Sequence, residues 1–363
     1  MLERFKVPAE DQVNIEHESL RETVTAIFEK MGVDREDAAL GADVLVSTDL
    51  RGVETHGVSN MLREYVEKYN SGELNPRPVW RIVRESPSTA TIDADRGLGV
   101  ILGPKAMQIA IDKAKSVGVG MVTMYNAGHS GAIGHHAMLA AQQDMIGVCM
   151  TAGGMIVPPT FGAEARLGTN PIAIAAPAKS EPPFLFDAAM SAIAGNKVGL
   201  AKRVSANLLP GWVSDADGTP FTEETPVRER GDYYILPLGG TRELGSHKGY
   251  GFGLMAEILT TTLAGDVPSM LATPSGAGHH SFTAYDIAAF TDLETFKRNM
   301  DETLRTLRET PPAPGHDRVL YPGLSEHEEE ASRRVNGIPL HQEVVDWFED
   351  IAGELSVPRL RTV

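Results

Sequence analysis

The chain has 363 residues, 42% apolar and 23% charged, an ordinary balance for a globular protein with room for a large core and more than one section. Its 49 acidic and 33 basic residues leave a formal charge of −16, a field that repels a phosphate backbone and argues against nucleic acid as a partner. Cys149 is the only cysteine, the opening MLERFKVPAEDQ has no apolar region of the secretory type, and no apolar run is of spanning length, so a cytoplasmic protein with no disulfide and no membrane contact is expected.

Leu20, Val24, Ile27, Phe28 and Met31 recur at helical spacing, and Gly32 ends that helix. Asp34 is placed to cap a second one, whose apolar stripe is Ala38, Ala42, Leu45 and Val46. The polar turn DLRGVETHG (49–57) and a helix through Tyr65 and Tyr69 follow, and Pro76 and Pro78 close a helical section. Short apolar or β-branched runs then predict buried strands: TATIDA (89–94), GVGMVTM (118–124), MIGVCMT (145–151), PIAIAAP (171–177) and FLFDAA (184–189). Helices are expected among and after them, at Pro104 to Ser116, Ala132 to Gln143, Ala192 to Ala206 and Tyr250 to Leu263, which together indicate an α/β sheet covered by helices. From about Leu293 the pattern is helical again, interrupted by the loop PPAPGHDRVLYPG (311–323).

The stretch TATIDADRGLGVILGPKAMQ invites a dinucleotide-binding reading of the Rossmann type. Gly97, Gly99 and Gly103 have GxGxxxG rather than GxGxxG spacing, four residues separate strand from glycine, and the next strand ends at Tyr125 and Asn126 without an acidic residue. A structural turn is the better reading.

Three polar constellations carry possible chemistry. In YNAGHSGAIGHHA (125–137), His129 sits on a glycine-flanked loop between a strand and a helix, where an imidazole can give and take a proton near neutral pH, an effect on the order of 10²–10⁴ in rate. A loop histidine bonded to backbone carbonyls fits the same residues equally well. His135 and His136 lack HExxH spacing and have no carboxylate within the loop, so they read as packing residues and no metal is expected. In LRGVETHG (50–57), Arg51 and His56 lie in a turn after a helix; the arginine is a solvated charge, a helix cap, or a fork for a carboxylate. In SHKGYGFG (246–253), Lys248 near a helix N-terminus makes an anion site, or the glycines serve close helix packing.

Taken together, LRGVETHG, NAGHSGAIGHHA (126–137), GTNPIAIAAP (168–177), FDAA (186–189), SHKGYGFG and, more loosely, PAPGHDRVLYPG (312–323) resemble the malate/L-lactate dehydrogenase type 2 family, in family order over about four-fifths of the chain. That resemblance implies an α/β fold with a non-Rossmann NAD(P)-binding central mixed sheet at 81–292. A helical domain would be built from 1–80 with 293–363, and the site would be completed across a homodimer. It implies His129 as the acid/base, Arg51 as the anchor of a substrate carboxylate, and His56 in the same turn. NAD or NADP would be held by Gly153, Asp187, Ala188, Ala189, Lys248, Gly315, His316 and Asp317, although the family often has a side-chain hydroxyl where Gly153 stands. Thr169 and Asn170 would shape the substrate site. The implied reaction interconverts a small, anionic 2-hydroxy acid and its 2-oxo acid. Reduction of a cyclic imine 2-carboxylate is the alternative within the same machinery, and a histidine-rich metal-dependent hydrolase is the one outside it.

Overall fold

The structure is a computed structural model that describes residues 3–271 and 278–363. Strand β1 (Gln12–Ile15) leads into α1 (His17–Lys30), α2 (Arg35–Leu50) and α3 (Val58–Asn70). Their apolar stripes meet as the spacing predicts: Leu20, Val24, Ile27 and Phe28 share one core with Ala38, Ala42, Leu45 and Val46. Asp34 does occupy the N-cap position of α2, but its side chain makes no cap hydrogen bond and pairs instead with Arg77 at 3.4 Å.

The middle of the chain builds β2 (Arg81–Glu85), β3 (Thr89–Asp93), α4 (Gly99–Val117), β4 (Val119–Ala127), α5 (Ile133–Ala141) and β5 (Met145–Ala152). It continues through β6 (Ile172–Ala176), β7 (Phe184–Ala188), α6 (Gly195–Arg203), the small pair β8 (Val213–Asp215) and β9 (Tyr233–Ile235), and α7 (Ser246–Glu257), which runs on as a π-helical turn at Ile258–Thr262. Next come β10 (Gly278–Asp286), α8 (Leu293–Arg308), α9 (Leu324–Asn336), β11 (Ile338–His341) and α10 (Gln342–Leu355). β1 pairs with β11, and α10 joins the core of α1–α3. α8 lies against the β6–β7 connection, where Asp301 accepts from the backbone N–H groups of Lys179, Ser180 and Glu181. No helix among the described residues is long and apolar enough to cross a membrane.

The seven-stranded sheet runs β2-β3-β4-β10-β5-β6-β7 and is mixed: only β3 and β4, joined through α4, are parallel. All five expected strands are present, but the strand at the centre, β10, was not among them. It carries His279, His280, Ser281 and Thr283, and the first three of these are buried, so it lacks the apolar run by which the others are read. Helix α4 begins five residues before the expected Pro104 because Val100, Ile101 and Leu102 are buried and draw the chain into a further turn. The glycines of the failed fingerprint serve contact: a Cβ on Gly99 would meet the Gly128 carbonyl oxygen at 2.5 Å, and one on Gly103 would meet the His136 ring at 2.7 Å.

The pairing register fixes where the chemistry can lie. Asp93 is opposite Tyr125, Gly278 opposite Ala127, His279 opposite Ala152, Met150 opposite Ile172, and Ile172 opposite Ala188. The carboxyl ends of β3, β4, β5 and β7 and the amino ends of β6 and β10 therefore share one edge of the sheet. The loops at 126–131, 152–154, 168–171 and 187–189 all emerge there, although they are spread over residues 126 to 189 of the sequence.

Candidate functional site

The loop after β4 carries His129, and its backbone is held from three sides. The Gly128 carbonyl accepts from His280 Nε2 at 3.0 Å, the His129 carbonyl from the Val100 N–H at 3.0 Å, and the Ser130 carbonyl from His136 Nε2 at 2.9 Å. Thr151 on β5 bonds the other nitrogen of His280 at 2.9 Å. His136 is thus the packing residue expected, and His280 does the same work from the strand the sequence did not reveal.

The His129 ring is half-buried. Its Nδ1 accepts from the Gly131 N–H at 3.1 Å and lies 2.7 Å from the Tyr65 hydroxyl. Burial, with His56, His280, Lys68 and His136 around it, holds its pKa well below the usual imidazole value. His56, from the turn between α2 and α3, stacks on it with ring centroids 5.7 Å apart; burial lowers its pKa to about 4. Both rings are therefore neutral near pH 7.

His56 lines a cavity of about 270 Å³ with Val53, Thr55, Gly131, Ala132, Thr169, Asp187, Ala188, Ala189 and Leu238. His129 stands behind this wall. Asp187 accepts from the Gly134 N–H at 2.6 Å, near the start of α5, where the helix dipole favours a carboxylate. Crowding by protein nevertheless raises its carboxyl to about 6. Asn170 is buried and donates to the Gly253 carbonyl at 2.9 Å, which ties the 168–171 loop to α7. Gly153, at the end of β5, presses its carbonyl oxygen to within 1.9 Å of where a Cβ on Gly168 would sit, so Gly168 is the residue that lets the two loops meet.

Arg51 lies on a second cavity, of about 420 Å³, with Asp43, His135, Asp187, Pro322, Gly323, Glu326, Glu330 and Arg334. Val53, Ala132 and Asp187 line both cavities, so the two adjoin across Asp187. The Arg51 guanidinium pairs with Glu330 at 3.1 Å and is not in the cavity of His56. Lys248 is exposed at the start of α7 and lines neither cavity. Close packing is what its neighbour Gly249 provides, since a Cβ there would meet the Leu238 carbonyl oxygen at 2.3 Å. Gly315, His316 and Asp317 lie on an exposed loop whose far end, Pro322 and Gly323, walls the larger cavity. Among the described residues no three His, Cys, Asp or Glu side chains come together in a way that could hold a metal ion.

Sequence reasoning did not assign Tyr65, Glu330 or His280 to the site. Tyr65 stood out only as part of a tyrosine-rich helix, and nothing local to Glu330 or His280 marks either.

A model of the malate/L-lactate dehydrogenase family matches residues 15–349. Malate dehydrogenase of Pyrococcus abyssi is 38% identical over 356 residues, 97% of each chain. L-sulfolactate dehydrogenase of Methanocaldococcus jannaschii is 36% identical, with 94% of this chain and 96% of that protein covered. Among solved structures, malate dehydrogenase of Pyrococcus horikoshii superposes with a TM-score of 0.88 at 36% identity, covering 99% of both chains. The Δ1-piperideine-2-carboxylate reductase of Pseudomonas syringae gives 0.80 at 26% identity, covering 93% of this chain and 99% of that one.

Proposed function

Since the chain belongs to the malate/L-lactate dehydrogenase family, and is therefore an oxidoreductase, we propose that it interconverts a small 2-hydroxy acid and its 2-oxo acid with NAD or NADP, using His129 as acid and base. The observation that carries this reading is the place of His129: on a braced loop at the sheet edge, stacked on an imidazole that walls the cavity of Asp187, Ala188 and Ala189.

The two cavities adjoin across Asp187, which supports an extended dinucleotide lying along both. Gly153, Asp187, Ala188 and Ala189 would hold it along the sheet edge, with Lys248 and the loop at Gly315, His316 and Asp317 reaching its outer parts. Bound there, NAD or NADP would supply the hydride chemistry of the reaction. The protein's own part is alignment and proton transfer. His129 exchanges a proton with the substrate oxygen; His56, Thr169 and Asn170 shape the space beside it. Arg51 would anchor the carboxylate by exchanging Glu330 for it, a like-for-like swap of one carboxylate partner.

We further propose a cytoplasmic homodimer with the site completed at the subunit interface, residues 1–80 with 293–363 forming the contact and substrate section and 81–292 the cofactor section. Support comes from the cavity of His56, which no lysine or arginine among the described residues lines, and from Lys248 and the 315–317 loop, which lie outside both cavities of their own chain.

Reduction of a cyclic imine 2-carboxylate is a second reading, supported by the likeness to the piperideine-carboxylate reductase. The test is oxidation of NADH and of NADPH with pyruvate, oxaloacetate, sulfopyruvate and piperideine-2-carboxylate, beside a His129→Ala control. Turnover of a 2-oxo acid that His129→Ala abolishes is expected. Fastest turnover of the imine gives the second reading, and silence with every compound under either cofactor overturns both.

A further inference from the structure

We infer that the loop locks neutral His129 as its Nε2–H tautomer through the Gly131 N–H, and that Tyr65 is the positioning residue that supports this tautomer and passes a proton behind it. The inference rests on the acid/base role proposed for His129.

One donor at the His129 ring cannot change its direction. The Gly131 N–H reaches His129 Nδ1 at 3.1 Å, and a backbone amide only donates, so Nδ1 is the bare nitrogen of the neutral ring. The Tyr65 hydroxyl, 2.7 Å from the same atom, then donates as well. The ring cannot easily turn to escape this arrangement. His280, Val100 and His136 hold the carbonyls of residues 128, 129 and 130, and the His56 ring lies across its face. Nε2 is left with the ring proton and with no protein partner among the described residues.

A neutral ring so held is set to donate to a keto oxygen, the arrangement that reduction requires. As C2 receives hydride from the reduced nicotinamide, the Nε2–H bond breaks and its proton goes to the substrate oxygen. The Tyr65 O–H bond breaks in step and its proton goes to Nδ1, so the ring stays neutral. Once product leaves, water protonates Nε2 and the Nδ1 proton returns to Tyr65. Burial, then Glu64 and Tyr69, holds the Tyr65 hydroxyl well above the usual phenol value, so the phenolate is a costly and short-lived stand-in for the alkoxide. A doubly protonated ring is the competing route, and burial first, with the Lys68 ammonium beside it, opposes that route at neutral pH.

The test is histidine ¹⁵N NMR on the full chain near pH 7.5, the His129 signal assigned by its loss in His129→Gln, together with kinetics of Tyr65→Phe. A protonated Nε2 and a bare Nδ1 are expected in the wild type. Tyr65→Phe should lose roughly 10²-fold in kcat for reduction, with KM within about twofold, and recover activity as pH falls and the charged ring takes over. A protonated Nδ1 in the wild type overturns the inference, and so does a Tyr65→Phe enzyme with unchanged kcat and pH profile. Should the wild type reduce no 2-oxo acid, the reading of function fails, and the NMR result decides the tautomer separately.

Discussion

The imidazole of His56 lies over that of His129, centroids 5.7 Å apart and planes 14° from parallel, so the turn between two N-terminal helices and a loop of the sheet meet ring on ring. Only His56 touches the cavity wall, and its Nδ1 is already engaged with the Thr55 hydroxyl at 2.9 Å. Its role is then to present one face and one nitrogen, without changing charge. His56→Phe keeps the stacked face and loses the nitrogen, and should cost about tenfold or less in kcat/KM, the equivalent of one neutral hydrogen bond. A loss as deep as that of His129→Ala in the same assay would show that His56, too, moves protons.

Arg51 and Glu330 form a pair that the proposed chemistry must open. Removing the guanidinium in Arg51→Ala deprives a bound carboxylate of charge-assisted hydrogen bonds worth about 1.5–3 kcal/mol, or roughly 10- to 150-fold in KM for a 2-oxo acid, with a smaller fall in kcat. Glu330→Gln should act in the opposite direction, lowering KM by releasing the arginine. If KM for 2-oxo acids stays put in both variants, Arg51 belongs to the structure of α9 and its turn and not to substrate binding.

The strands that frame the site were legible because five of them are short apolar runs between glycines and prolines. β10 was not, because His279, His280 and Ser281 place polar atoms inside the sheet, which the alternation of apolar and polar residues does not anticipate. The two are linked: the residue that hides the strand, His280, is the one that reaches across to hold the His129 loop. His129 could be singled out since the residues shaping its loop are its sequence neighbours. Tyr65 lies 64 residues away from its partner and Glu330 lies 279 residues from Arg51, and pairs of that kind exist only once the fold has brought α3, α9 and the sheet edge together.

Arg333 on α9 braces the same turn from beneath. Its guanidinium bonds Glu54 at 2.7 Å and the Asp49 carbonyl at 2.8 Å, and both side chains of the ion pair are nearly buried. Cutting one partner from a buried pair leaves an uncompensated charge, so Arg333→Met should destabilise the chain by about 3–5 kcal/mol, far more than loss of an exposed pair such as Arg359 with Glu349. The double variant Arg333→Met with Glu54→Gln should recover part of that loss, because it removes the stranded carboxylate along with its partner. Urea unfolding of the wild type, the single and double variants and Arg359→Met checks this, and an Arg333→Met chain no weaker than Arg359→Met would refute it.

Asp49 has a carboxyl pushed up to about 8, first by burial and then by Glu54, against the opposing pull of the Val58 N–H and Arg333. Its environment explains why. Oδ2 accepts from Val58 at 2.7 Å, Oδ1 has no partner among the described residues, and Gly57 packs so closely that a Cβ there would fall 1.9 Å from Oδ1. A carboxyl whose folded pKa lies above its unfolded value stabilises the protein fully only below the unfolded value of 3.8, and that contribution drains away as pH rises to about 8. Asp49→Asn keeps an oxygen for the Val58 N–H and cannot ionise, so it escapes the drain. Its Tm should exceed that of the wild type at pH 9, by a margin that shrinks steadily toward pH 5. A difference of the same size at every pH would mean that folding does not shift the carboxyl at all, and a margin that widens toward low pH would mean that burial does not govern it.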